Sequence, residues 1–137
     1  MYSSLILLVL LCVSPNSIHG FCIRLWKNPR FSNRPQVNQI TPSVVRVSWE
    51  KVVTHRECVD RFLVRYWETS KPKDVLFTQT VGQEVKFFDF KVLPNVEYAF
   101  QVIAREIKSM LGYQFDTDDH LSSVTLYRTS YDPGNGS

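Results

Sequence analysis

The amino-acid sequence predicts an all-β fold, a seven-stranded antiparallel β-sandwich, on three observations. Short runs alternate apolar and polar residues with the period of two that gives a strand one buried face. Turn signals rich in Pro, Gly, Ser and Asn separate these runs at intervals typical of a sandwich. No long run has helical spacing, and 137 residues with 44% hydrophobic residues provide one core.

The N-terminus, 1–20, is predicted to be a secretory signal peptide. An apolar block of about nine residues, Leu5 to Val13, precedes a proline, small polar residues and Gly20, after which we expect cleavage. This block is far shorter than the roughly 20 residues that cross a bilayer as a helix. We therefore expect a secreted, extracellular protein without membrane insertion.

Seven strands are expected after the signal peptide. The run "SVVRVSWE", Ser43 to Glu50, places Val45, Val47 and Trp49 on one face. The run "RFLVRYWE" repeats this alternation, with Tyr66 on the apolar face. The other five candidates are Gln36 to Ile40, Asp74 to Thr80, Glu84 to Phe90, the stretch from Val96 onward, and Ser123 to Thr129.

The run "EVKFFDFKV" permits two registers, because a shift of one residue exchanges the two faces of a strand. Either Val85 and Phe87 or Phe88 and Phe90 face the core. We favour Phe88 and Phe90, since the first register would turn Asp89 toward the core, where an unpaired carboxylate is costly.

Trp49 at the end of one strand, "FLVRYWE", "LPNVEYAFQVIA" and "SVTLYRTS" together resemble a fibronectin type III domain over 35–130. The resemblance implies that Trp49 lies in the core. It also implies that Tyr98 forms a tyrosine corner, with its ring in the core and its hydroxyl bonded to upstream backbone. An immunoglobulin domain is the nearest alternative, but its disulfide would join strands B and F, and neither carries a cysteine.

Removal of the signal peptide leaves two cysteines, Cys22 and Cys58, in an oxidising compartment. A disulfide between them is the simplest interpretation, and intermolecular pairing or free thiols are the alternatives. In a fibronectin type III fold the start of strand A and the B–C loop lie at one pole. The bridge would then tether the basic, aromatic segment 21–34 over that pole.

Recognition is predicted at this pole, because loops on a rigid scaffold commonly carry binding residues and Trp, Tyr, Phe and Arg dominate interfaces. The F–G connection, Glu106 to Ser123, is expected to be a long acidic loop. An alternative is that the aromatic residues pack on the sandwich while this loop pairs with the basic segment. The candidate partner-binding residues are Trp26, Arg30, His55, Arg56, Tyr113 and Phe115.

The predicted function is non-enzymatic binding of an extracellular or cell-surface protein: a receptor, an adhesion molecule or a matrix component. Two alternatives stay open, binding of a sulfated, heparan-type polysaccharide through the basic segment, and structural self-assembly. A net charge of +3 with export does not favour nucleic acid.

The sequence predicts neither catalysis nor a cofactor. It has no nucleophile motif or phosphate loop. The stretch "DTDDH" lacks the pattern of a calcium loop, so we expect solvated loop charge there and no metal. The tail 131–137 is expected to be disordered, and its sequon at Asn135 is discounted because it lies at the terminus.

Overall fold

The structure is a computed structural model that describes residues 28–72, 75–107 and 117–130. The predictions for the signal peptide, the tail and the residues Cys22, Trp26, Tyr113 and Phe115 fall outside these ranges. The described strands are β1 (Arg30–Phe31), β2 (Gln36–Thr41), β3 (Val44–Ser48), β4 (Val53–Thr54), β5 (Arg61–Glu68), β6 (Leu76–Gly82), β7 (Phe87–Lys91), β8 (Glu97–Ile107), β9 (Thr117–Leu121) and β10 (Thr125–Arg128).

Two antiparallel sheets form the sandwich. One has the order β2-β3-β7, and the other has the order β10-β8-β5-β6, with β9 also paired to β8. A third, small sheet joins β1 to β4, and one 3-10 turn, Arg56–Cys58, precedes β5. The predicted antiparallel β-sandwich is therefore confirmed, with β9 and β10 sharing the position of one edge strand along β8.

The core lies between the two sheets and follows the predicted alternation. Val45 and Val47 of β3 are fully buried, as are Phe62 and Val64 of β5. Trp49 is 1% exposed, and its ring lies 5.5 Å from that of Phe62. At the other end of the core, Tyr66 contacts four aromatic rings, those of Phe77, Phe90, Tyr98 and Phe100.

A hydrogen-bonded corner closes the connection between β7 and β8. Tyr98 is 3% exposed, and its hydroxyl accepts a hydrogen bond of 2.9 Å from the backbone N–H of Leu93. The hydroxyl of Thr129 donates to the Leu93 carbonyl at 2.6 Å and accepts from the Val96 N–H at 2.9 Å. Asn95, with φ of 54°, adopts the left-handed conformation between them. This is the arrangement that the resemblance implied for Tyr98.

The strand β7 adopts the favoured register. Phe90 is 7% exposed, whereas Phe87 is 45% exposed. Asp89 turns outward and accepts two hydrogen bonds from Arg46 on β3. The strand begins three residues later than expected, because Val85 N–H bonds back to Gly82 and extends the preceding turn. The preceding strand, β6, is also displaced from its predicted range and runs from Leu76 to Gly82.

The prediction that Glu106 to Ser123 form a loop between two strands is wrong at both ends of that range. β8 continues to Ile107, and β9 begins at Thr117. The run "TDDHL" lacks apolar alternation, yet it pairs along β8 from Ile103 to Ile107. Backbone pairing with a strand already in place outweighs the weak strand propensity of aspartate. Among the residues that the structure describes, none forms a helix with the length and apolar character of a membrane span.

Replacing Tyr98 with Phe is expected to lower the free energy of unfolding by about 1 kcal/mol, since the Leu93 N–H loses its acceptor while the ring stays in place. Urea denaturation measures this change. Tyr66→Phe is the control, because the Tyr66 hydroxyl makes no hydrogen bond to another described residue, and it should have a smaller effect. Equal effects of the two substitutions would contradict a specific role for the Tyr98 hydroxyl.

Candidate functional site

One end of the sandwich carries the described candidate residues. Arg61 at the start of β5 pairs with Gly82 at the end of β6 and with Arg105 near the end of β8. Arg105 in turn pairs with Asp119 of β9. We call this end the β9 pole.

The residues before the sandwich are fixed on the β9 pole by backbone pairing. Arg30 pairs with Thr54, whose hydroxyl donates to the Arg30 carbonyl at 3.1 Å. The Ser32 N–H and hydroxyl both donate to the Val52 carbonyl, at 2.7 and 3.1 Å. The strand β1 also lies against β9. The end of the predicted segment 21–34 therefore lies on the pole in an ordered position.

The turn between β4 and β5 is held by one side chain. The Gln83 amide donates to the carbonyls of Arg56, Glu57 and Val59 at 3.2, 3.1 and 2.9 Å. His55, with φ of 54°, adopts the left-handed conformation that starts this turn. The conformation is uncommon for a residue with a side chain, so the surrounding contacts must hold it.

A polar cleft of about 540 Å³ opens beside this turn. His55 and Arg56, both predicted from the sequence, line it, and Arg30 lies on the adjacent strand pair. The structure thus places these three predicted residues at one pole, and their role in binding stays a prediction. The sequence did not single out the acidic side of the cleft. The other lining residues are Glu50, Val53, Glu57, Gln83 and Glu84.

A buried carboxylate lies under β9 at the same pole. Glu106 is 2% exposed, and its Oε2 lies 2.9 Å from Nε2 of His120. Asp118 Oδ2 lies 3.7 Å from the same nitrogen. The expectation of solvated loop charge is therefore wrong for His120, which lies in a strand and is hydrogen-bonded to Glu106. Glu106 was not predicted from the sequence, although its even spacing from Tyr98, Phe100, Val102 and Ala104 was a signal of inward orientation.

A cluster of two carboxylates and one imidazole is formed by Glu106, Asp118 and His120. The potential ligand atoms of these three side chains lie within 4.8 Å of one another. Among the described residues this set has the chemistry to hold a divalent cation. The internal hydrogen bond between Glu106 and His120 also satisfies the two groups without an ion.

A one-residue bulge places these polar groups on the core side. Two residues of β8 separate Phe100 from Ile103, whereas three separate their partners Thr125 and Leu121. Ser122 fills the irregularity: its N–H donates to the Val102 carbonyl at 2.9 Å, and its hydroxyl accepts from the Val102 N–H at 3.0 Å. The bulge sets His120 opposite buried Ala104 and turns Leu121 outward, 54% exposed.

On the outer face of the pole, Asp119 accepts two hydrogen bonds from Arg105, at 2.8 and 3.1 Å. These hydrogen bonds hold the pKa of Asp119 below its usual value, and they raise the pKa of Arg105. Because Asp119 remains 38% exposed, water screens the pair and its contribution to stability is small.

No protein-family model matches the chain, and no curated protein matches it significantly. Several solved structures do match the chain. A myokine structure matches at a TM-score of 0.58 and 18% identity, over 76% of this chain and 100% of that one. The FN1–FN3 domains of chicken CNTN1 match with a TM-score of 0.56 and 19% identity, over 72% of this chain and 30% of that one. The fn3 domain of human contactin 1 matches with a TM-score of 0.52 and 18% identity, over 80% of this chain and 87% of that one.

The fold is that of a fibronectin type III domain. At 18 to 19% identity these matches show the fibronectin type III architecture alone. The chain spans less than a third of the CNTN1 structure that it matches. The site must therefore be argued from the residues of the β9 pole.

The Arg105–Asp119 pair should make stability depend on pH in acid. The folded-state pKa of Asp119 is depressed, so its contribution is present above the unfolded value of about 4 and is lost as pH falls through the folded value. Asp119→Asn should cost less than about 1 kcal/mol at pH 7 and converge with the wild type at low pH. Urea unfolding from about pH 7 to pH 2 measures both quantities.

Glu84→Gln is the matched control, because Glu84 forms no ion pair with another described residue. It removes one exposed carboxylate near the same pole, so the difference between the profiles of the two variants isolates the effect of the Arg105–Asp119 pair. Profiles of Asp119→Asn that stay parallel to the wild type throughout would contradict the pKa assignment.

Proposed function

We propose that the chain is a secreted, non-enzymatic binding module that recognises an extracellular or cell-surface protein through the β9 pole. The observation that carries this proposal is the cleft of about 540 Å³ lined by His55 and Arg56. The backbone carbonyls of two lining residues, Arg56 and Glu57, accept hydrogen bonds from the Gln83 amide, so the cleft is held in shape before a partner arrives. A preformed site loses less conformational entropy on binding.

The charges of the cleft favour a protein over a sulfated polysaccharide. Glu50, Glu57 and Glu84 line it together with one arginine and one histidine. Sulfate groups bind to clusters of cations, and three carboxylates would repel them. A protein surface, which offers both signs of charge and apolar groups, complements this mixture better.

We propose further that Cys58 forms a disulfide with Cys22. Cys58 is 6% exposed and ends the 3-10 turn at the pole on which β1 lies. The bridge would hold the basic, aromatic segment beside the cleft and bring Trp26 within reach of the same partner. The ring would enclose about 36 residues, which corresponds to roughly 3 to 4 kcal/mol in the chain-entropy model.

Cys58→Ser is expected to lower the free energy of unfolding by about 3 kcal/mol, through loss of the cross-link. Urea denaturation of the protein secreted from animal cells measures this change. Cys22→Ser is the matched control, because it removes the same bridge from the other side and should cost a similar amount. A peptide map of the unreduced protein without a Cys22–Cys58 linkage would overturn the disulfide.

The binding proposal is tested with the oxidised, secreted protein as bait for cell-surface and extracellular extracts. The bait variant Arg30→Ala/Arg56→Ala removes two candidate side chains and keeps the backbone pairing between β1 and β4. The control variant Lys71→Ala/Lys91→Ala removes the same charge elsewhere, from the Ser70–Lys71 turn and the end of β7. Mass spectrometry identifies the captured proteins, and purified candidates are then titrated against each variant.

We expect one dominant protein that persists in high salt, binds the control variant normally and binds the arginine variant at least about tenfold more weakly. A loss of about 1.4 kcal/mol corresponds to this factor, a typical cost of truncating a central interface arginine. Capture that both variants retain equally would overturn the β9 pole as the site. Retention on heparin alone, abolished by moderate salt, would favour polysaccharide binding instead.

A further inference from the structure

The strand β6 leaves one edge unpaired among the described residues. It lies at the end of the order β10-β8-β5-β6 and pairs with β5 over its whole length. Its residues from Leu76 to Thr80 are exposed, and Phe77 is 58% exposed. Its sequence, "LFTQTVG", contains no Lys, Arg, Asp, Glu or Pro. Soluble proteins usually protect such an edge with charge, proline or a covering segment.

The other sheet edges are protected in these ways. The edge strand β7 is short and carries Asp89 and Lys91. The edge at β10 is closed against β2, because the Thr125 hydroxyl donates to the Pro35 carbonyl at 2.6 Å and the Ser130 N–H donates to the Gln39 side chain at 2.7 Å. The absence of protection is therefore specific to β6 within the described part of the chain.

The two faces of β6 follow from its pairing with β5. Phe77 and Val81 lie opposite the core-facing residues Tyr66 and Phe62, so they share the inner face with Gln79. Thr78 and Thr80 lie on the outer face. In a sheet, two directly opposite residues have their side chains on the same face. A second strand added to this edge must therefore place its inner-face residues opposite those of β6 and its outer-face residues opposite Thr78 and Thr80.

We propose that β6 pairs with β6 of a second copy of this chain, antiparallel about a two-fold axis at Gln79. In that register Phe77 lies opposite Val81 of the copy, Thr78 opposite Thr80, and Gln79 opposite Gln79. It is the one face-preserving register in which all seven residues of β6 pair with residues of β6.

The cross-strand pairs of this register are favourable ones. An aromatic residue opposite a β-branched residue and Thr opposite Thr each stabilise antiparallel pairs, and no two like charges meet. The two Gln79 amides at the axis can exchange hydrogen bonds, because each has a donor and an acceptor. The strand is therefore complementary to itself, which is the requirement for a two-fold interface.

This pairing ends at two copies, because it uses the one unprotected edge of each described sandwich. The larger sheet would run without interruption from β10 of one protomer through both β6 strands to β10 of the other. Antiparallel strands place the two β9 poles at opposite ends of the dimer. The interface lies along the side of the sandwich and reaches the β9 pole only at Gly82, so the dimer does not rest on the proposed partner.

The test is a charge exchange across the axis, followed by sedimentation velocity across the micromolar range. Thr78→Lys/Thr80→Lys sets lysine opposite lysine in both symmetric pairs. Thr78→Lys/Thr80→Glu sets lysine opposite glutamate. Gln36→Lys/Ile40→Lys on β2 is the matched control, because it adds the same charge at exposed positions away from β6.

We expect the wild type and the β2 control to form dimers of equal affinity. The double lysine variant should dissociate roughly tenfold more readily, and the lysine–glutamate variant should recover the dimer. A wild type that remains monomeric, forms open-ended aggregates, or forms a dimer insensitive to the double lysine variant would overturn the proposal.

A second measurement does not depend on how the charged variants fold. Gln79→Cys places two cysteines opposite each other at the axis, so oxidation should link two copies through this residue. Thr78→Cys is the control, because its partner across the interface is Thr80 and not itself. Equal yields of linked dimer from the two variants would contradict the register.

Discussion

The regular alternation of β8 is the constraint on which most of the structure depends. Its even-numbered residues from Tyr98 to Ala104 are buried between the sheets, and strands on both of its sides are aligned to it. The same alternation carries Glu106 inward at the pole, where a carboxylate needs a partner. His120 supplies that partner only because Ser122 fills a bulge in the facing strand. The core and the polar pole are thus consequences of one uninterrupted strand.

Much of this fold could be predicted from single residues. The alternation of Val45, Val47 and Trp49 predicted a strand with one buried face. The cost of burying Asp89 correctly predicted the register of β7. β9 could not be predicted, because its pairing comes from a neighbour 10 to 18 residues away and its own sequence is acidic. Glu106 was missed for the same reason: its partner His120 faces it only after the bulge resets the alternation.

Part of the candidate site could also be predicted from the sequence. The topology of the fold brings Arg30, His55 and Arg56 to one pole, so residue type and position together could indicate them. The acidic wall could not be found from local sequence, since Glu50, Glu57 and Glu84 come from different turns. The β6 edge could be recognised as unpaired only with the strand order known, although its lack of charge is plain in the sequence.

The bulge at Ser122 has a consequence for how chains of this kind diverge. Each residue of β9 has its face set by the number of residues between Leu121 and Thr125, and not by its own chemistry. Deletion of one residue there would exchange the faces, so that Leu121 would point into the pole and His120 out of it. The inner face would then carry Leu121 and Asp119 beside Glu106, and this buried carboxylate would lose His120 as its partner. A change of one residue in length at this point therefore alters the face of every residue of β9, whereas a substitution in the strand alters one side chain.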